Sequence, residues 1–221
     1  MWEEIINKGG PVVLILAGYS LVGLALVAER FLYFAYIGRP PGADFEKRMC
    51  RDLADGRPAD LPPHLRGPEV TVVRGMLTAA GEKVRDLSRV ASRLGSAELQ
   101  KMERGFRTLA VLGNTAPLLG LFGTIIGMIK AFMVIEQAGG RVDAQALAGG
   151  IWEALLTTGV GLAVAIPILL LLHLLEGMAD RRARTMHGYA SLVLEKLAPA
   201  NQVFDDPLPQ PRTGEGENAA F

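Results

Sequence analysis

The chain has 221 residues, half of them apolar, and its 23 Lys and Arg residues balance its 23 Asp and Glu residues. Zero net charge provides no global field of the kind that draws a protein to nucleic acid, so no nucleic-acid partner is predicted. Cys50 is the only cysteine, which excludes an intrachain disulfide.

Three apolar runs are long enough to cross a bilayer, which needs about 20 residues of helix. The predicted spans are 11–37, 108–135 and 147–175, and they leave little sequence for a soluble core. The first run is too long for the apolar part of a signal peptide and lacks a convincing small-x-small cleavage site, so we interpret it as a retained helix. The predicted fold class is therefore an all-α integral membrane protein, with the second and third spans extended into the cytoplasm.

The distribution of basic residues predicts the orientation. Residues 38–107 hold 14 of the 23 Lys and Arg residues, whereas the loop between the second and third spans holds only Arg141. Basic residues that flank a span favour the cytoplasm, so the N-terminus is predicted outside and the C-terminus inside. The predicted segments are a periplasmic N-terminus (1–10), the first span (11–37), a cytoplasmic helical domain (38–107), the second span (108–135), a periplasmic loop (136–146), the third span (147–175), a cytoplasmic helix extension (176–200) and a disordered tail (201–221).

Helical spacing continues outside the spans. From Glu69 to Leu94, and on through Phe106, apolar residues recur at intervals of three and four, a period that predicts helix. We therefore expect one long helix that begins in the cytoplasm and enters the membrane as the second span. A short amphipathic helix is predicted from Asp44 to about Asp55. The helical spacing continues past the third span as an apolar stripe, formed by Tyr189, Leu192, Val193 and Leu197. We expect an oligomer to cover this stripe.

Glu153 is a carboxylate inside the third predicted span, about two turns from its outer end. An ionised side chain at bilayer depth costs roughly 3 kcal/mol or more, so it must face protein or water, or stay protonated. A carboxyl group that gains and loses a proton suits a proton path. The alternative is a glutamate at the helix end that is hydrated at the interface.

Two threonines follow Glu153 on the same helix. Thr157 lies four residues on and shares its face, whereas Thr158 is rotated from it by about 140° on an ideal helix. Geometry alone therefore favours Thr157 as the companion of the carboxylate. For both threonines the alternative is a hydrogen bond to a carbonyl of their own helix.

The second span carries small and polar residues among its apolar ones. Gly123 and Gly127 form a GxxxG step, which allows close helix approach. Pro117 leaves the carbonyl of Gly113 without its helical donor, so a neighbour or water must satisfy it. Polar groups in both the second and the third span predict a shared polar face. Two polar side chains of the second span are expected to face protein rather than lipid: Asn114 and Thr124.

Other chemistry is not indicated. Lys130, near the outer end of the second span, is expected to reach the lipid headgroups. His173 has no other His or Cys near it, so no metal site is predicted. The sequence contains no phosphate-binding loop, no dinucleotide fingerprint and no Ser-His-Asp arrangement that we can place, so neither a cofactor nor an enzyme activity is predicted.

The second and third spans together resemble the MotA/TolQ/ExbB proton channel family. The second span matches from Asn114 to Gly127, with its Pro-x-x-Gly-Leu-Phe-Gly-Thr core. The third span matches at Glu153-Ala154-Leu155, then at Thr158, Gly161-Leu162 and Ala165-Ile166-Pro167. Three spans and a long inner loop are similar to the ExbB/TolQ branch, whereas MotA has four spans.

The resemblance implies a homopentamer in the bacterial inner membrane, with a central pore lined by the second and third spans. It also implies an ExbD/TolR-like partner, whose single span carries a proton-binding Asp, and a TonB-like or TolA-like protein beyond it. The family's proton-pathway residues map onto Thr124, Glu153 and Thr158, so by this analogy Thr158 rather than Thr157 faces the path. Residues assigned to helix packing or pore lining are Asn114, Pro117, Gly120, Gly123, Gly127, Gly161 and Pro167.

The sequence departs from the family pattern at three positions. Gly149 stands in place of a proline, Trp152 in place of a small residue, and His173 in place of an Asn that many relatives carry. The expected function is a channel subunit that uses the proton motive force to energise TonB-dependent import or Tol-Pal-type envelope maintenance. The alternatives are a non-conducting membrane scaffold, a MotA-like stator with another client, and, more weakly, a substrate transporter.

Overall fold

The computed structural model describes residues 10–38, 40–54, 67–137 and 144–197 of the chain. All regular secondary structure in these ranges is helical. Nearly all of the predicted N-terminal segment, most of the predicted outer loop and the predicted disordered tail lie outside the described residues. The described residues form six helices: α1 (Gly10–Ile37), α2 (Ala43–Ala54), α3 (Pro68–Gly81), α4 (Leu87–Met102), α5 (Phe106–Gln137) and α6 (Ala144–Leu197).

Three of these helices, α1, α5 and α6, are long and apolar enough to cross a membrane. The prediction of an all-α protein with three long apolar helices is therefore confirmed. Their large apolar side chains stay exposed along much of their length, among them Leu24, Phe122 and Leu170. Such a surface in a helix of this length suits lipid or another protein chain rather than water.

The prediction of one continuous helix from Glu69 into the second span is wrong. The chain leaves helix α3 at Glu82, and Lys83 adopts a positive φ of 59°. Asp86 then caps α4, because its carboxylate accepts a hydrogen bond from the backbone N–H of Arg89 at 2.8 Å. A second break separates α4 from α5 at Gly105, whose φ of 87° suits a residue without a Cβ.

Helix α6 is continuous over 54 residues and runs through Pro167. It extends well past the predicted inner end of the third span at Leu175, as the helical spacing predicted. The amphipathic helix predicted from Asp44 is also present, as α2. Helix α5, in contrast, begins at Phe106, so the predicted inward extension of the second span is limited to a few residues.

The apolar stripe on the extension of α6 packs within the chain itself. Tyr189 and Val193 are buried, and Leu192 and Leu197 pack beside them. Helix α2 covers this stripe, since Phe45 meets the Tyr189 ring edge-on with the ring centroids 5.5 Å apart. No second copy is needed to cover the stripe, contrary to our expectation.

A buried ion pair joins three parts of the fold. Glu69 at the start of α3 is fully buried, and both of its carboxylate oxygens accept hydrogen bonds from Nη1 of Arg182 on α6, at 2.9 and 3.1 Å. Nη2 of Arg182 donates to the carbonyl of Gly38, just after α1. The guanidinium group therefore fixes the end of α1 and the start of α3 against α6.

Arg30 makes a second link, between α1 and the end of α4. Its Nη1 donates to the carbonyl of Lys101 at 3.0 Å, and its Nη2 pairs with the neighbouring Glu29. The carbonyl of Lys101 is one of the last of α4, where a positive charge is favourable. On the same helix, a hydrogen bond to the Glu98 carboxylate at 2.6 Å raises the pKa of the Lys101 ammonium.

Candidate functional site

Helices α5 and α6 run antiparallel and approach closely along one face. A Cβ at Gly120 would lie 2.9 Å from the backbone oxygen of Thr157, and one at Gly161 would lie 2.8 Å from the backbone oxygen of Ala116. Side chains at either glycine would therefore push the two helices apart. Gly120 and Gly161 are buried opposite each other, which gives both predicted packing residues a physical role.

The GxxxG step of the second span faces α6 of the same chain. A Cβ at Gly123 would lie 2.7 Å from Cβ of Thr157, and one at Gly127 would lie 3.2 Å from the backbone nitrogen of Ala154. The two glycines therefore leave room for Thr157 and Ala154, both of which are buried. This arrangement sets which residues of α6 stand opposite which residues of α5.

In this register Thr124 on α5 meets Thr158 on α6, and their hydroxyl groups hydrogen-bond to each other. Oγ1 of Thr124 also lies 3.1 Å from the carbonyl oxygen of Ala154, and Oγ1 of Thr158 lies 3.1 Å from that of Gly120. Each hydroxyl has one proton to donate. The hydrogen bond between the two hydroxyls can therefore run in either direction. When Thr158 donates to Thr124, Thr124 donates to the carbonyl of Ala154; when Thr124 donates to Thr158, Thr158 donates to the carbonyl of Gly120.

Thr157 has a different environment from Thr158. It is only 2% exposed, and its hydroxyl donates to the carbonyl of Ala154 at 2.8 Å, within its own helix. This is the hydrogen bond to its own helix that the sequence left open as an alternative. Its side chain lies against the glycines of α5, so it takes part in the contact between the two helices.

Glu153 lies beside Lys130 of α5. Oε1 of Glu153 is 3.5 Å from Nζ of Lys130, and the two side chains are 29% and 55% exposed. Lys130 was expected to reach the lipid headgroups, and its ion pair with Glu153 was not predicted. No local signal predicts this pair, because it depends on the register of α5 against α6, in which Gly127 lies against Ala154.

The remaining predicted residues lie away from this group. Asn114 is ten residues from Thr124, which is about 15 Å along a helix, and it is exposed on the single chain. Pro117 lies within α5 and is half-buried, whereas Pro167 lies within α6 and is exposed. The structure thus brings Thr124 and Thr158 together and pairs Glu153 with Lys130, whereas Asn114 and Pro167 lie on more distant turns.

His173 and Glu176 form a separate pair on α6, with Nδ1 of the histidine 3.1 Å from Oε2 of the glutamate. Within the described ranges no group of three or more His, Cys, Asp or Glu side chains is arranged to hold a metal ion. Trp152, the bulky residue beside Glu153, is exposed. It lines a shallow apolar groove on α6 with Leu155, Leu156, Gly159, Val160 and Ala163.

Residues 67–187 match the MotA/TolQ/ExbB proton channel family, and this range includes the whole of α5 and the part of α6 that carries Glu153 and Thr158. The chain belongs to this family. Its similar proteins place it on the ExbB/TolQ branch, as the sequence motifs predicted.

Three relatives show how far the similarity extends. The biopolymer transport protein exbB1 of Vibrio cholerae is 33% identical over 187 residues, which cover 80% of this chain and 82% of that protein. The ExbB-like 1 protein of Synechocystis is 31% identical over 187 residues, covering 79% and 70%. An ExbB homolog of Methanothermobacter thermautotrophicus is 27% identical over 180 residues, covering 80% of this chain but only 63% of that longer protein.

Proposed function

We propose that this chain is a proton-conducting subunit of an ExbB/TolQ-type motor, with Glu153 as the carboxylate that takes up and releases the proton. The observation that carries the proposal is the position of Glu153 on the α5–α6 face, one residue before Ala154, whose carbonyl oxygen lies 3.1 Å from the Thr124 hydroxyl. Membership of a proton channel family supports it.

The proposed path continues from Glu153 to the paired hydroxyls of Thr124 and Thr158. The two hydroxyls can reverse their direction of donation without a change of backbone, which suits the passage of a proton along them. Thr158 is assigned to this path, and Thr157 is assigned to helix packing. One proton that crosses 100 mV releases about 2.3 kcal/mol, which is the energy available for each transfer.

The proposed assembly is a homopentamer in the bacterial inner membrane, around an ExbD/TolR-like partner whose single span carries an Asp. We propose that the N-terminus is periplasmic, that residues 38–107 and the extension of α6 are cytoplasmic, and that residues 136–146 form an outer loop. The motor then drives either TonB-dependent import or Tol-Pal-type envelope maintenance, through a TonB-like or TolA-like protein. The exposed apolar surfaces of α1, α5 and α6 support burial in lipid or against other subunits.

The test is proton flux in membrane vesicles that contain the chain and its single-span partner. Glu153→Gln and Glu153→Ala are expected to abolish flux and client function, because neither side chain can carry the proton. Glu176→Gln is the matched control, since it removes a carboxylate from the same helix but far from the α5–α6 threonines. Wild-type flux in both Glu153 variants would overturn the proposal and favour a non-conducting scaffold.

A second comparison assigns the threonines. Thr158→Val is expected to lower flux strongly, because it interrupts the hydroxyl pair with Thr124, whereas Thr158→Ser is expected to restore it. Thr157→Val is expected to lower the free energy of unfolding, since it removes a buried hydrogen bond worth about 1 kcal/mol. It is expected to lower proton flux less than Thr158→Val does. The opposite pattern would place Thr157 in the path.

A further inference from the structure

We propose that Lys130 is a specificity residue, which keeps metal cations away from the Glu153 carboxylate and leaves this carboxylate to protons. The inference rests on the proton-conducting role proposed above for Glu153. Nζ of Lys130 lies 3.5 Å from Oε1 of Glu153. An ammonium group therefore already occupies a position that a cation bound to this carboxylate would take.

Such a device has a purpose because oxygen atoms gather where α5 packs against the turn of α6 that follows Glu153. The carbonyl oxygen of Ala154 lies 3.1 Å from the Thr124 hydroxyl and 2.8 Å from the Thr157 hydroxyl, and that of Gly120 lies 3.1 Å from the Thr158 hydroxyl. Carboxylate, carbonyl and hydroxyl oxygens are the ligands that hard metal cations prefer. Oxygen chemistry by itself therefore does not distinguish a proton from a cation such as Na⁺.

The charge of Lys130 makes that distinction. A metal cation on the Glu153 carboxylate would lie about 4 Å from the ammonium, and like charges at this separation repel each other even in water and more strongly where water is scarce. Within the described part of the chain Lys130 forms no other ion pair. Its positive charge therefore acts on Glu153 and on any cation that approaches this carboxylate.

A proton does not meet the same obstacle. It forms a covalent O–H bond with a carboxylate oxygen, so the carboxylate becomes neutral and the ion pair opens while the ammonium keeps its charge. The Lys130 side chain is 55% exposed, and a lysine on a flexible four-carbon stem can turn to water or headgroups when its partner is neutral. Release of the proton restores the ion pair.

The experiment measures whether Na⁺ binds at Glu153. Membranes containing the full chain are treated with a carbodiimide that modifies protonated carboxyl groups, at fixed pH and ionic strength, with either sodium chloride or choline chloride. Modification of Glu153 is followed by mass spectrometry. We expect Na⁺ to leave the wild-type rate unchanged and to slow the reaction of Lys130→Gln about fivefold or more, as expected when a repulsion of this size is removed.

Two further variants separate charge from structure. Lys130→Arg keeps a positive charge and is expected to behave as the wild type does. Lys101→Gln removes another lysine that is paired with a glutamate, at 2.6 Å from Glu98, and is expected to leave the reaction at Glu153 insensitive to Na⁺. The same comparison is made on proton flux, where Na⁺ is expected to inhibit Lys130→Gln alone.

Equal insensitivity of Lys130→Gln and the wild type to Na⁺, in both modification and flux, would overturn the proposal. Protection of wild-type Glu153 by Na⁺ would also overturn it. The modification rate is measured on the Glu153 carboxyl group itself, so these outcomes test the role of Lys130. Failure of the proposed function would be seen separately, as wild-type proton flux in Glu153→Gln.

Discussion

Replacement of Arg182 by methionine is expected to destabilise the chain by about 3–5 kcal/mol, the range found when one partner of a buried ion pair is removed. The carboxylate of Glu69 is fully buried, and Nη1 of Arg182 donates to both of its oxygens. Methionine fills a similar volume but donates no hydrogen bond. The substitution therefore leaves an uncompensated charge and removes the donor to the Gly38 carbonyl.

The double variant Glu69→Leu with Arg182→Met is expected to recover most of this loss. Replacement of both members of a buried pair by apolar residues is often neutral or stabilising, because two charges no longer have to leave water. The Gly38 carbonyl still lacks its donor, so a deficit of about 1 kcal/mol is expected to persist. The assay is thermal unfolding of the purified chain and its variants in one detergent.

Lys196→Met provides the control on the same helix. Lys196 pairs with Glu195 at 3.5 Å and both side chains are exposed, so its loss is expected to cost less than about 1 kcal/mol. Two results would refute the reasoning about the buried pair. One is an Arg182→Met variant as stable as Lys196→Met, and the other is a double variant less stable than Arg182→Met alone.

Two further predictions concern packing and pH. Gly161→Ala is expected to lower the free energy of unfolding by about 1–3 kcal/mol through overpacking, because its methyl group would lie 2.8 Å from the carbonyl oxygen of Ala116. Gly159→Ala is the control, since a methyl group there would meet open space. It is expected to be neutral or to stabilise the helix by up to about 1 kcal/mol. Thermal unfolding of both variants checks this, and equal effects would contradict it. Burial raises the pKa of the Tyr189 phenol above its ordinary value of 10.0, so its contribution to stability is complete below that pH and is lost as pH rises through the raised pKa. Tyr189→Phe removes the hydrogen bond from the Tyr189 hydroxyl to the carbonyl oxygen of Pro41, which is 2.9 Å long. The variant is expected to lose less stability at alkaline pH than the wild type does. Profiles of unfolding free energy against pH that run parallel in the two proteins would contradict the role given to Tyr189.

The helical class and the three long apolar helices were predictable because the hydropathy of a helix is a local property. A run of apolar residues needs no knowledge of its neighbours to be recognised. Glu153 was recognisable for the same reason, since a carboxylate in such a run is expensive wherever the helix packs. The motifs around Thr124 and Thr158 also indicated the family before any geometry was known.

The helix breaks between α3, α4 and α5 were missed although local signals were present. Asp86 is a good N-cap residue, and Gly105 is the residue best suited to a positive φ. Apolar residues nevertheless recur at helical spacing across both breaks, and this spacing concealed them. Periodicity reports which face is buried, and two helices that bury the same face in succession produce the same pattern.

The partners of the charged residues required the tertiary structure. Lys130 and Glu153 are far apart in the sequence, as are Glu69 and Arg182, and neither pair has a local signature. Each pair depends on the relative placement of two helices, which is a non-local property. Only the fold therefore showed that Lys130 faces the carboxylate.

Thr157 and Thr158 illustrate the difference between what the sequence and what the tertiary structure determine. The sequence by itself determined that Glu153 lies on a membrane-length helix with threonines four and five residues on, and ideal helix geometry favoured Thr157 as its companion. Only the close contact between α5 and α6 placed each threonine: Thr157 fills the space left by the buried glycines of α5, and Thr158 meets Thr124. A single helix fixes the angle between its own side chains, but only packing against a second helix decides which of them meets a partner.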